Sequence, residues 1–282
     1  MKNFKYLFIV LCTIFVFEMI SFNKAEAVEC AITSGVVTVN ECDSEPDLYE
    51  AVIYKLYLCT SAPTVPTTSS TVVLTPCSQI FNNATGDTVS VVSGEDIDLV
   101  GTFTRPPNAT YTHGYAYMEN YFGITWSGQI ASPMTGSTGG DTGVYCASVA
   151  GSGIHKQGST HSNSSVCSST DNLTAGKFVE TLQHFGDFNR QFKSNVDVDE
   201  INGTTAKITA YLVDTDQKLA LLTGDVKKLE GLITFANPII VTAETTSINM
   251  RFNVGEGMHL NDRSTDVLQI GSGPFQAIMT AN

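Results

Sequence analysis

Apolar and polar positions alternate in short runs along most of this chain. Val36, Val37 and Val39 belong to a β-branched run at 35–39, and residues 49–59 (YEAVIYKLYLC) follow with aromatic and branched side chains. Further runs lie at 71–74, 88–92, 97–104, 110–121 and 124–130. Ser93-Gly94-Glu95-Asp96 reads as a turn between two of them. A period of two marks a strand with one face buried. Turns recurring about every eight to twelve residues point to a sandwich or barrel.

The pattern changes at 132–170, which is dense in Gly, Ser and Thr and reads as a long loop. Phe178, Leu182 and Phe185 then recur at helical spacing before Gly186, so a short helix is expected over 174–188. Strand-like runs resume at 206–213, 218–222, 232–235, 239–243, 247–254 and 276–280. The expectation is an all-β chain, β-sandwich or jelly-roll-like, with one short helix. Its units would be 28–131 and 174–282, separated by the Gly/Ser/Thr-rich segment 132–173.

The first residues set the compartment. Lys2 and Lys5 precede an apolar run over 6–20, and Ala25 and Ala27 are the small residues a signal peptidase reads. A leader over 1–27, cleaved after Ala27, is expected. Its apolar run is shorter than the ~20 residues of a spanning helix, so no membrane span remains after cleavage. Seven cysteines are present, and Cys12 leaves with the leader. Cys30, Cys42, Cys59, Cys77, Cys146 and Cys167 remain, an even number that in an exported chain reads as three disulfides. Six cysteines allow 15 pairings. The sequential one closes the shortest loops and is favoured.

Charge excludes one class of partner. The net charge is −13, and losing the leader removes three basic and two acidic residues, giving −14. Such a surface repels nucleic acid.

Candidate chemistry is sparse. No Gly-x-Ser-x-Gly elbow and no His-Glu-x-x-His occur, and His113, His155, His161, His184 and His259 are scattered. No enzyme activity and no catalytic set are expected. Asp197, Asp199 and Glu200 form an acidic knot, and Asp214 and Asp216 another. Clustered carboxylates offer hard oxygen ligands to calcium, although Ile201 stands where an EF-hand places its third ligand. Tyr111, Tyr115, Tyr117, Tyr121 and Trp126 fall within sixteen residues, counted from 111 to 126. Aromatics sharing an exposed face would make a stacking platform for a glycan. Asn-x-Ser/Thr sequons occur at Asn83, Asn108, Asn163, Asn172 and Asn202.

Two resemblances bear on this reading. Asp141-Thr142-Gly143-Val144-Tyr145-Cys146-Ala147 resembles the strand leading to the second cysteine of immunoglobulin variable domains, but only over those seven residues. Tyr54-Lys55-Leu56-Tyr57-Leu58-Cys59-Thr60-Ser61-Ala62-Pro63 and Gly101-Thr102-Phe103-Thr104-Arg105-Pro106-Pro107 resemble exported proteins of marine alphaproteobacteria, over about residues 28–130. That resemblance implies a bacterial surface or periplasmic setting. The expected function is a secreted structural protein, a cell-surface or filament subunit that self-associates as a homo-oligomer or polymer. Val36, Val37 and Val39, or the run at 276–280, would be donated to a neighbour's sheet. The alternative is a soluble periplasmic or surface module that binds glycan or calcium. Amino-terminal sequencing of material recovered outside the cytoplasm is expected to start at Val28; an intact leader there would remove the basis for export.

Overall fold

The structure, a computed structural model, describes residues 29–39, 41–92, 97–155, 163–185, 191–199, 205–262 and 266–282. The leader expected over 1–27 lies outside them. In chain order the strands are β1 (Ala31–Thr33), β2 (Val36–Thr38), β3 (Cys42–Ser44), β4 (Leu48–Cys59), β5 (Cys77–Val91), β6 (Thr102–Phe103) and β7 (Ala109–Met118). They continue as β8 (Tyr121–Thr125), β9 (Ser127–Gly136), β10 (Thr142–Ser148), β11 (Gly151–His155), β12 (Ser165–Ser168), β13 (Phe178–Leu182) and β14 (Lys193–Asp199). The last are β15 (Thr205–Val213), β16 (Lys228–Val241), β17 (Ile248–Asn253), β18 (Met258–Asn261), β19 (Val267–Ser272) and β20 (Gln276–Ala281). A 3-10 turn at Thr223–Asp225 is the sole helical element among the described residues.

The strands form a ten-stranded sheet, an eight-stranded sheet and a two-stranded one. The largest runs β11-β13-β8-β4-β7-β16-β15-β14, with β5 and β6 on the other edge of β4. The second runs β1-β2-β9-β19-β18-β3, with β10 and β12 branching from β9. β17 and β20 pair with each other. Alternation places Ile53, Leu56, Met118, Ile124, Leu212 and Ile233 of the large sheet in one core with Ile130, Met134, Leu260, Leu268 and Ile270 of the second. Met250, Phe252 and Met279 bring the two-stranded sheet into the same core. Each such side chain gains about 1.5–3 kcal/mol on burial, so this shared interior binds the sheets together.

The fold class is all-β, as the alternation predicts. The helix expected over 174–188 is corrected: Phe178–Leu182 is strand β13, parallel to β11 and antiparallel to β8. An i, i+4 step is even, so Phe178 and Leu182 fall on one face of a strand as well as of a helix. Val179 and Thr181, β-branched and stiff at χ1, favour the strand. The segment expected as loop, 132–173, holds the end of β9 and all of β10, β11 and β12. Tyr145 opposes Gln129 of β9 on one side and Ser168 of β12 on the other. Small side chains do not prevent this, because backbone groups supply the ladder. The run at 97–104 contributes only β6, and 71–74 and 218–222 make only isolated bridges. The boundaries drawn at 131 and 174 do not part the sheets: β16 pairs with β7, and β19 pairs with β9.

The disulfides are Cys30–Cys42, Cys59–Cys77 and Cys146–Cys167, the sequential pairing. Cys59 stands directly opposite Cys77, and Cys146 directly opposite Cys167. Their Cα atoms are 3.9 and 4.1 Å apart, so these two bridges are rungs between neighbouring strands. Both candidate donor segments pair inside the chain. Val36 and Val37 lie between β1 and Gln129 and Ile130 of β9, Val39 follows against the core, and β20 pairs with β17. Replacing Cys146 and Cys167 together by serine is expected to lower stability by about 3 kcal/mol. Urea unfolding checks this, as a lower midpoint at unchanged slope.

Candidate functional site

Strand register assembles one row of side chains across the large sheet. Lys193 of β14 opposes Tyr211, Tyr211 opposes Glu230, Glu230 opposes Tyr117, and Tyr117 opposes Lys55 of β4. The next row runs Asn195, Thr209, Leu232, Tyr115 and Tyr57. Neighbouring strands lie ~4.8 Å apart, so rings and charged groups within a row are in contact range. Lys55 Nζ sits 5.7 Å from the centre of the Tyr117 ring, and Lys193 Nζ 5.6 Å from that of Tyr211. This face is the one turned away from the shared core.

Tyr54 enters the face through a bulge. Ile53 opposes Met118 and Lys55 opposes Tyr117 of β7, so Tyr54 is the extra residue on β4, while on the other edge residues 83–86 of β5 span the same step. Gly86 has φ +79°, and a Cβ there would stand 2.6 Å from Val52 and 3.0 Å from the Tyr54 ring. Only glycine permits both the left-handed backbone and this approach. The Tyr54 and Tyr117 rings are 5.7 Å apart, edge to face. Lys228 Nζ lies 4.3 Å from the Tyr54 ring centre and donates to Tyr54 Oη at 3.0 Å. Tyr54 Oη and Lys228 Nζ both donate to Glu119 Oε1. Burial pulls the Lys228 ammonium down, but its bonds to Glu119 and Tyr54 outweigh that and leave it raised.

A loop crosses part of this face. It begins at Cys59, opposite His113, at one end of the sheet. Thr67 accepts a bond from Leu219 N at 3.0 Å, and Thr71 bridges to Lys218, beside the other end of β15. Pro63 and Pro66 in the loop are buried, as are Tyr115, Tyr211 and Glu230 on the sheet. Tyr54, Tyr57 and Tyr117 remain half-buried and Tyr121 is exposed. The face therefore has a closed part and an open part, with four tyrosines in the open one.

Glu230 belongs to the closed part. Its Oε2 accepts from Tyr115 Oη. Burial pushes its carboxyl up to about 7, against the opposing pull of the Tyr115 bond and the Lys55 charge. Burial and the Glu230 charge push the Tyr115 hydroxyl far up in turn.

The aromatics read from sequence divide. Tyr117 and Tyr121 stand in the open part and Tyr115 in the closed part. Tyr111 and Trp126 are in the core, where Tyr111 Oη donates to the Pro107 carbonyl at 2.7 Å. Tyr54, Tyr57, Tyr211, Lys55, Lys193, Lys228, Glu119 and Glu230 were not found from sequence. Strand patterning in 49–59 and 206–213 marked the strands of Tyr54, Lys55, Tyr57 and Tyr211, and Glu119 falls in the run 110–121; Lys193, Lys228 and Glu230 lie outside the patterned runs, and nothing local marked the register that joins them.

The acidic knots part in the same way. Asp197 and Asp199 are on β14, opposite Lys207 and Thr205, and Glu200 lies outside the described residues. Asp214 Oδ1 accepts the backbone N–H groups of Asp216 and Lys218 at 2.9 and 3.0 Å, so it caps its own turn. Among the described residues no group of three or more His, Cys, Asp or Glu is placed to hold a metal ion. His259 Nδ1 meets Asp43 at 2.8 Å as a cross-strand pair. Glu180 is fully buried, accepts from Ser272 N at 2.6 Å, and lies 3.6 Å from His155 Nδ1.

Comparison of the chain with protein-family models, curated proteins and solved structures finds no match in any of the three. No described helix is long and apolar enough to cross a membrane.

The Glu230 carboxyl is raised from 4.5 to about 7 on folding. The folded state thus holds a proton that the unfolded state releases. The stability this gives is full below pH 4.5 and is lost as pH rises through 7. Glu230→Gln is expected to remove that slope, so that the variant gains on the wild type by on the order of 1–3 kcal/mol between pH 5 and 8. Urea titrations across this range read it directly; parallel curves for the two proteins would contradict the assignment.

Proposed function

We propose that this protein is exported and binds carbohydrate on the open part of the tyrosine face. The observation that carries the reading is the placement of Tyr54, Tyr57, Tyr117 and Tyr121 on one face, interleaved with Lys55, Lys228 and Glu119. Sugar rings have apolar C–H faces that stack on aromatic rings, and hydroxyls that need fixed donors and acceptors. Tyrosine supplies both at low entropic cost, having two side-chain torsions. Lys228 is paired with Glu119, and Lys55 lies against Tyr117, so the face suits a neutral sugar better than an anionic one. Three disulfides and the leader expected over 1–27 support a place outside the cytoplasm, where such sugars are met. The pairing of both terminal strands within the chain favours this reading over self-association by strand donation.

A neutral-glycan array followed by calorimetry with the retained sugar tests it. Tyr54→Ala with Tyr117→Ala is expected to weaken binding about tenfold, because each aromatic stacking contact is worth ~1 kcal/mol and two are lost. The melting temperature guards against misfolding. An array that retains nothing, or a folded double variant with undiminished affinity, would sink the proposal.

A further inference from the structure

A separate cavity lies beneath the two-stranded sheet. Its volume is about 320 Å³, and its walls are Leu56, Ile80, Phe81, Phe103, Met250 and Met279. These come from β4, β5 and β6 on one side and from β17 and β20 on the other. Thr104, Arg105 and residues 245–247 also line it and supply its polar groups. An engineered cavity of ~150 Å³ lined by aliphatic and aromatic side chains stays dry and admits benzene, so this one has room for a medium-length hydrocarbon chain.

The wall on the β6 side depends on one glycine. A Cβ at Gly101 would stand 2.5 Å from the Phe81 ring and 2.8 Å from the Asn82 carbonyl. Glycine there lets 99–103 close down on Phe81. The same segment leaves large apolar groups in water: Phe103 is 63% exposed and Val100 70%. Phe103 packs against Phe81 with ring centres 5.2 Å apart and planes tilted by 51°, and both rings line the cavity, so the exposed ring and the cavity are continuous. Met250 and Met279 make the opposite wall adaptable, since thioether chains repack around different shapes.

Arg105 gives the cavity its polarity. Its Nη1 donates to the Pro106 carbonyl at 3.1 Å, and its Nη2 donates to Asn108 Oδ1 at 2.8 Å and to the Thr242 carbonyl at 2.6 Å. Three of the five guanidinium N–H bonds are thus spent on neutral oxygens, which fixes the group in place. Two donors and the whole positive charge remain, with no carboxylate partner among the described residues. An apolar cavity with a fixed, uncompensated cation on its lining matches a ligand with a hydrocarbon tail and an anionic head.

We infer that this cavity binds a medium-chain carboxylic acid, its chain among Leu56, Ile80, Phe81, Met250 and Met279 and its carboxylate on Arg105. The site is independent of the tyrosine face, and the ligand is a different chemical class.

Calorimetry on the full exported chain, stripped of lipid, tests it with decanoate, decanol and decyl phosphate below their aggregation limits. Decanoate is expected to bind saturably at one site, and decanol at least about tenfold more weakly, the loss of a charge-assisted bond. Arg105→Gln should bring decanoate to the level of decanol and leave decanol unchanged. Met279→Trp, which fills the space, should abolish both. Ile80→Phe fills it from the opposite wall if the first variant does not fold. Equal binding of decanoate and decanol by the wild type would overturn the role of Arg105, and tighter binding of decyl phosphate would overturn the carboxylate. No saturable binding, or full binding by a folded filled variant, would overturn the site. Sugar binding is measured on the same variants, so failure here leaves the reading of the tyrosine face standing or falling separately.

Discussion

Strand β4 is hydrogen-bonded along both edges, and the arrangement of the large sheet depends on it. One edge carries β8 at Leu48–Glu50 and β7 from Ile53 to Cys59, and the other carries β5 along its length. Side chains alternate across a strand, so the register of β4 decides which residues reach the core and which reach the tyrosine face. A slip of one residue would exchange the two sets. Two features oppose such a slip. Ile53, Leu56 and Leu58 are fully or nearly fully buried, and Cys59 is bonded to the residue directly opposite it. The bulge at Tyr54 then adds a departure from strict alternation that brings one more ring to the outer face.

The same strand joins the two candidate binding regions. Tyr54 and Tyr57 project to the outer face, whereas Leu56, between them, lines the cavity on the inner side. The two regions differ in physical character. On the tyrosine face, aromatic rings are interleaved with the paired Lys228 and Glu119 and with Lys55, which lies over the Tyr117 ring, so the proposed recognition would rest on shape and hydrogen bonding. In the cavity, apolar walls meet a single fixed guanidinium, so the proposed recognition would rest on burial of hydrocarbon and on one charge. In a chain of net charge −13, an uncompensated arginine on an apolar lining is a local exception to the overall field.

Sequence patterning succeeded where the signal is local. Alternation in 49–59 and 110–121 reflects one buried face per strand, and both became long strands. It failed at Phe178 and Leu182 because their even spacing is compatible with either periodicity, and partners on β8 and β11 settled the matter. It failed at 142–155 because Gly, Ser and Thr give little side-chain pattern, while the backbone still pairs. The candidate site was only partly visible: Tyr117 and Tyr121 were found in one run, but their companions lie on β4, β15 and β16. Tyr111 and Trp126, equally prominent in that run, lie in the core: Tyr111 stands beyond the register shift between β7 and β16, and Trp126 sits between β8 and β9.

What the amino-acid sequence determined by itself is the all-β class and an even set of six cysteines, with the sequential pairing favoured and then found in the structure. These follow from period-two alternation and from loop closure, which are properties of neighbouring residues. The interleaving of the two halves in shared sheets, the tyrosine row and the cavity were decided by tertiary structure alone. Each depends on which strand lies beside which and at what register, and that choice is made by burying one common core from residues more than two hundred positions apart in the chain, such as Cys30 and Met279.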